Sequence, residues 1–115
     1  MAKIMVVDEN KNLRFLYELE LSSEGHEVIT VPSDEAAIKT LNVTDVDIVV
    51  SELPNPNGSG LKSFKKFYEK NENLKVIINT AYQFEPYPSW QNYVDACLIK
   101  SSDINILKKT IREVL

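Results

Sequence analysis

Residues 47–60 read DIVVSELPNPNGSG, and the fold follows from how this stretch is read. A short run of Ile and Val ends in Ser51 and an acid, Glu52, then breaks into a loop of Pro, Asn and Gly. An apolar run of this length, bounded by turn residues, marks a strand covered on both faces, because each side of the pleat meets a packed layer rather than water. Residues 3–8, KIMVVD, show the same pattern and end the same way, with Asp8 followed by Glu9. Doubly covered strands belong to parallel sheets, and parallel neighbours need a crossover, usually a helix. A helix is therefore expected between each strand and the next.

The periodicity supplies those helices. From residue 10 to about residue 24, Leu13, Phe15, Leu16, Tyr17, Leu19 and Leu21 recur at helical spacing, and Gly25 provides a C-terminal stop. Glu27–Val31 (EVITV) reads as a second strand, followed by a turn in which Ser33 or Asp34 caps a helix through Ala36, Ala37, Ile38 and Leu41. After the loop, a helix starting at Ser59 or Gly60 places Leu61, Phe64, Phe67 and Tyr68 on one face. Its other face, with Lys62, Lys65, Lys66 and Lys70, reads as solvated. Residues 74–79 (LKVIIN) form a fourth strand, Ala96–Ile99 (ACLI) a short fifth, and residues 102–115 a last amphipathic helix through Ile104, Leu107, Ile111 and Val114. In the fourth unit, Pro86 and Pro88 forbid regular helix until about residue 89, so that helix should be short or irregular.

Alternating strands and helices predict an α/β fold, a doubly wound parallel sheet of (βα)5 type, because each right-handed crossover must pack back on the sheet. The length, 115 residues, suits one domain over residues 1–115, with neither repeat nor linker. In the flavodoxin-like strand order 2-1-3-4-5, the ligand crevice lies outside the carboxyl ends of the strands, between the first and the third. Asp8, Glu9 and Glu52 fall there, and Thr80 and Lys100 follow the fourth and fifth strands onto the same edge. Clustered carboxylates repel unless a cation sits among them, and hard oxygen donors suit Mg2+ or a lysine ammonium. Thr80 can donate a hydroxyl hydrogen bond, and Lys100 can neutralise a phosphoryl oxygen or pair with a carboxylate.

Composition narrows what such a site serves. A net charge of −4 argues against nucleic acid as a direct ligand and favours a cation or a protein partner. No apolar run approaches the roughly 20 residues of a membrane span, and MAKIMVVD lacks a signal peptide's pattern, so no membrane contact and a cytoplasmic location are expected. Cys97 is the only cysteine, which excludes an internal disulfide or a multi-cysteine zinc site; a buried thiol is expected. His26 has no second ligand at metal spacing and is expected at the surface. PNPNGSG lacks the Lys-Ser/Thr ending of a phosphate-cradling P-loop and reads as loop geometry. An acidic first loop repels a flavin phosphate. A Mg2+-dependent phosphoryl-transfer enzyme with Asp8 as nucleophile is the alternative from another class, although Glu9 and Asn10 follow where a spaced second aspartate would serve as acid/base.

At this point the residues carry a resemblance over the whole chain, to the receiver domain of two-component response regulators. IMVVDENKNLR at 4–14 resembles the family's opening strand with its acidic pair. DIVVSELPNPNGSGL at 47–61 resembles the phosphoacceptor segment, with Pro56 and Gly60 at the family's Pro and Gly positions. VIINTAY at 76–82 and CLIK at 97–100 place Thr80 and Lys100 at the family's hydroxyl and lysine positions. The resemblance implies that Asp8, Glu9 and Glu52 hold Mg2+, that Thr80 and Lys100 form the phosphoryl pocket, and that Thr80 and Cys97 stand at the switch positions. It also implies signalling in a two-component system or phosphorelay rather than enzymatic catalysis. The partners would be a sensor kinase or an output domain, or a second copy of the chain as a homodimer.

Four departures from the family pattern matter. Glu52 replaces the acceptor aspartate, and its extra methylene shifts the oxygens by about one bond; a misplacement near 1 Å can cost ~100-fold where in-line geometry matters. The expected result is a pseudo-receiver or constitutive mimic, with weak Mg2+ binding because Glu52 can pair with Lys100; a working receiver carrying an engineered Asp-to-Glu change is the other reading. Cys97 stands where the family has its switch aromatic, so the usual inward swing of a ring is lost. Ser101 follows Lys100 where the family has proline, so a trans bond is expected. Finally, Pro86 and Pro88 break the segment that should form the family's fourth helix, and Tyr82, Phe84, Tyr87, Trp90 and Tyr93 crowd into the same segment. Either they fold inward to replace missing helix packing or they form an interaction surface for a partner.

Overall fold

The structure is a computed structural model that describes residues 1–52, 60–81, 92–101 and 103–115. Five parallel strands, β1 (Lys3–Val7), β2 (Glu27–Val31), β3 (Ile48–Ser51), β4 (Lys75–Thr80) and β5 (Ala96–Ile99), stand in the order β2-β1-β3-β4-β5. Among the described residues, helices α1 (Lys11–Ser23), α2 (Asp34–Leu41), α3 (Gly60–Lys70) and α4 (Asn105–Val114) accompany the sheet, in the flavodoxin-like arrangement the sequence predicts. The expected short or irregular helix between β4 and β5 falls on residues 82–91, outside the described residues.

Strand alternation splits the core into two layers. Ile4 and Val6 of β1, Ile48 and Val50 of β3, and Ile77 of β4 face one side, where Tyr17 and Leu21 of α1 and Leu107 and Ile111 of α4 meet them. Met5, Val7, Val49, Val76 and Ile78 face the other, against Ala37 of α2 and Phe64 and Phe67 of α3. Both faces of the three inner strands are thus dry, which is why their sequences lack polar alternation. Across the first layer, Lys108 pairs with Glu20 at 2.9 Å and Arg112 with Glu24 at 3.0 Å, tying α4 to α1.

Local capping sets the helix starts. Asn10 caps α1, its side chain accepting from the N–H groups of Asn12 and Leu13, and Ser33, of the two candidates, caps α2 through Ala36 N–H at 3.1 Å. Gly25, at φ +90°, makes the turn from α1 into β2, a conformation that side chains with a Cβ rarely adopt.

Three packing expectations need correction. Phe15, Leu16 and Leu19 have helical spacing but are exposed, because α1 meets the sheet through the stripe of Tyr17 and Leu21. Tyr68 is also exposed, although its ring packs edge-on against Tyr93 at 5.5 Å. His26 is half-buried rather than a free surface residue: its Nδ1 accepts the backbone N–H of Ala2 at 3.1 Å, fastening the segment before β1 to the start of β2.

Candidate functional site

The ladder of backbone hydrogen bonds runs one residue beyond several strands, and this fixes the site. Asp8 N–H donates to Val31 O at 3.1 Å, Glu52 N–H to Val7 O at 3.0 Å, and Lys100 N–H to Thr80 O at 2.6 Å. Each residue is therefore held at the carboxyl edge of the sheet as a rung, not as a free loop position. Asp8 follows β1, Glu52 follows β3, Thr80 closes β4 and Lys100 follows β5, so strand order alone brings them onto one edge.

Lys100 is the centre of the group. Its Nζ lies 2.7 Å from Asp8 Oδ2 and 3.0 Å from Glu52 Oε1, with side-chain exposures of 13% for Lys100, 2% for Asp8 and 19% for Glu52. Asp8 Oδ1 accepts the N–H of Asn10 at 2.8 Å, and its carbonyl accepts from Arg14 Nη1 at 2.7 Å. Burial works against the lysine's charge, but the hydrogen bonds it donates to Asp8 and Glu52 and the charges of those carboxylates outweigh it and raise its pKa. Burial also raises the Glu52 pKa and the Asp8 charge adds to that, with Lys100 offsetting only part. A carboxyl raised in this way should titrate above the ordinary glutamate range. Carbon-detected NMR of the Glu52 side chain against pH checks it, and a midpoint at or below that range would contradict the packing described.

Glu9 is exposed, so of the three carboxylates read as a metal trio the structure joins Asp8 and Glu52 through one ammonium. Among the described residues no three His, Cys, Asp or Glu side chains are gathered as a metal centre. Asp8 and Glu52 nonetheless offer hard oxygens converging on one positive charge, the donor chemistry that suits Mg2+ if the lysine yields its place. Thr80 is fully buried at the end of β4. The bond between Lys100 and Ser101 is trans, as expected without proline.

Cys97 corrects the expectation of a buried thiol: it is exposed. The short strand β5 lies at the edge of the sheet, where Ala96 and Leu98 turn toward the α1 and α4 layer and Cys97 and Ile99 point the other way. Tyr82, Phe84, Tyr87 and Trp90 lie outside the described residues. Tyr93 is half-buried and packs against the core layer that contains Phe64 and Phe67.

Several participants were not singled out from sequence. Arg14 reaches back from α1 over the end of β1, and the only local sign is that Asn10 caps the helix and so sets its rotation. Asn79 donates to the buried Tyr17 hydroxyl at 3.2 Å, linking β4 to α1 just below the site. Ser51 lies between Asp34 Oδ1, 3.4 Å away, and the carbonyl of Glu52 at 3.0 Å. The pairings of Asn79 with Tyr17 and of Ser51 with Asp34 have no sequence period, since each joins residues on different elements.

Comparison with known proteins agrees with this geometry. The family model described as the response regulator receiver domain matches residues 4–112. The transcriptional regulatory protein GlrR of Escherichia coli is 31% identical over 99% of this chain, which spans 26% of GlrR. The chain thus covers about a quarter of the length of that curated relative. The crystal structure of response regulator protein TrrA from Thermotoga maritima, in complex with Mg2+-BeF, superposes with a TM-score of 0.87 at 31% identity, covering all of both chains. A second structure, the histidine kinase ThkA in complex with TrrA, gives a TM-score of 0.86 at 31% identity, covering 100% of this chain and 99% of the matched one. Among the described residues no helix is long and apolar enough to cross a membrane.

Proposed function

The chain belongs to the response-regulator receiver family, and from that premise we propose that it is a degenerate receiver, a protein-interaction module of two-component signalling in which Glu52 is not phosphorylated. The observation that carries this reading is the lysine bridge. Lys100 holds Glu52 at 3.0 Å and Asp8 at 2.7 Å, so the carboxylate at the acceptor position is engaged and one bond longer than an aspartate. Small phosphodonors should therefore leave Glu52 unmodified. Thr80 and Lys100 occupy the phosphoryl-pocket positions, and the Glu52 carboxylate partly stands in there for the group they would otherwise meet. With Cys97 and Thr80 at the switch positions, the ring movement of the family is replaced by a fixed state or by some other signal.

The reading extends to partners and metal. The kinase complex formed by TrrA supports a sensor kinase or an output domain as partner, with a homodimer as the further case. Tyr82, Phe84, Tyr87, Trp90 and Tyr93 are proposed as the partner-binding surface, and a cytoplasmic location goes with such partners. TrrA in complex with Mg2+-BeF supports Mg2+ as the ion for the acidic edge. Here Asp8, Glu9 and Glu52 would supply its oxygens, and when bound it would neutralise their charge and any phosphoryl oxygen beside them. Because the ion must displace a lysine already paired with two carboxylates, binding should be weak, with half-saturation in the millimolar range or above. A Mg2+ titration followed by the amide shifts of Asp8, Glu9 and Glu52 tests this, and saturation at micromolar metal would overturn the lysine-held site.

A further inference from the structure

A polar pair lies inside the layer between the sheet and α1. Tyr17 of α1 and Asn79 of β4 are 4% and 6% exposed, and the Asn79 side-chain N–H donates to the Tyr17 hydroxyl at 3.2 Å. Their neighbours on that face of the sheet, Ile4, Val6, Ile48, Val50 and Ile77, are apolar. In such surroundings a polar group that loses its partner must find another, because leaving it unpaired and out of water is costly. We propose, on the lysine-held reading of the site, that this hydrogen bond is a two-state latch coupling Lys100 to α1, closed while the lysine bridges Asp8 and Glu52 and opened when the bridge is released.

Two connections run from the latch to the site. Asn79 is directly followed by Thr80, whose carbonyl accepts the Lys100 N–H at 2.6 Å, so the ends of β4 and β5 are held together. The lysine's charge also reaches the hydroxyl: burial raises the Tyr17 pKa, and the Asn79 hydrogen bond and then the Lys100 charge offset part of that.

Room for the open state lies beside the pair. A cavity of about 10 Å3, the space of a single water, is lined by Tyr17, Asn79 and Leu98 and by Ser101 and Asp103 of the segment between β5 and α4. Ser101 follows Lys100 directly, so a lysine drawn away from the carboxylates moves one wall of this cavity. There the Asn79 amide finds the Ser101 hydroxyl or the Asp103 carboxylate as its new acceptor, directly or through a bridging water. Tyr17 is then released from β4, and α1 loses a fixed point on the sheet. The pair is thus an element with two arrangements that the site biases, which is what coupling between the site and a distant helix requires.

The test compares amide NMR spectra of the parent and Glu52→Gln, each with and without the double substitution Tyr17→Phe, Asn79→Leu. Glu52→Gln removes one of the two charges that hold Lys100, and it needs neither metal nor phosphodonor, so the latch is read separately from whether Glu52 takes up phosphate. Replacing both latch residues by apolar ones of similar shape leaves no unpaired group, and the fold should be kept. If that chain does not fold, Tyr17→Phe alone takes its place with the same outcomes. Asn10 and Arg14 touch Asp8 directly, so the response is read further along α1, from Leu19 to Ser23. The expected result is that Glu52→Gln shifts these amides in the parent and shifts them at least about threefold less without the latch, while the Asp8 and Lys100 amides respond alike in both. A pair with a purely structural role would change the melting temperature and leave the α1 response equal in the two backgrounds, which would overturn the latch. So would an α1 that stays still while the Lys100 amide moves; a Lys100 amide that also stays still would overturn the bridge with it.

Discussion

Incubated with acetyl phosphate and Mg2+, the protein should keep its own mass, while Glu52→Asp should gain a phosphoryl group that hydroxylamine removes. In the variant a carboxylate oxygen attacks phosphorus and acetate leaves, so the acceptor oxygen must lie in line with the departing oxygen. The glutamate fails on two counts. Its oxygens are displaced by about one bond, which can cost ~100-fold where alignment near 1 Å decides the rate. Its Oε1 is also 3.0 Å from Lys100, so it sits in the region a phosphoryl group would need. Shortening the side chain withdraws the carboxylate from the lysine and leaves Asp8, Glu9, Thr80 and Lys100 in place. Intact-mass spectrometry of the two proteins side by side reads the result. Uptake at Glu52 in the parent would end the pseudo-receiver reading. An unmodified Glu52→Asp would show that the site is degenerate beyond one methylene. Restored labelling need not restore switching, because Cys97 is exposed on β5 and carries no ring.

Lys100→Met should destabilise the fold more than any surface substitution. The change leaves the carboxylates of Asp8, 2% exposed, and Glu52, 19% exposed, facing each other without the ammonium between them. Removing one partner of a buried pair costs about 3–5 kcal/mol, and the partial exposure of Glu52 puts this case at about 3 kcal/mol. The pH dependence has a definite sign. Glu52 is raised already in the parent, by burial first and then by the Asp8 charge, and loss of the lysine raises it further. A carboxyl with a folded pKa above its unfolded value binds its proton more readily in the folded state, so stability rises as pH falls from the folded pKa toward the unfolded one. The deficit of Lys100→Met should therefore be largest near neutral pH and shrink on mild acidification. Millimolar Mg2+ should recover part of it, since the ion then meets two carboxylates without a competing ammonium. Urea melts at neutral and mildly acidic pH measure both effects. A loss under about 1 kcal/mol, the usual worth of an exposed pair, would show that the bridge is solvent-screened.

The sequence by itself determined the sheet, its helices and the edge that carries the site. KIMVVD and DIVVSE read as doubly covered strands because the apolar period is local, and the observed β1 and β3 coincide with them to within a residue or two. Strand order then places Asp8, Glu52, Thr80 and Lys100 together without any side-chain coordinate, because residues that end parallel strands must share an edge. Tertiary structure alone decided the partnerships. Whether Lys100 meets Glu52, Asp8 or both depends on rotamers across three strands, and Glu9 is excluded only because it lies one residue past the last rung. The same holds for which apolar residues of α1 are covered: Phe15, Leu16 and Leu19 match Tyr17 and Leu21 in hydrophobicity, and the angle at which α1 lies on the sheet separates them. Cys97 is exposed because the edge position of β5 leaves one side of the strand less covered, a fact of neighbours rather than of composition. Asp34 looked like a cap, yet Ser33 caps α2 and leaves the acid half-buried against Ser51 and Ser63. Periodicity is a property of consecutive residues and survives in one dimension; burial of a charge depends on what distant elements bring to it, and only the packed chain specifies that.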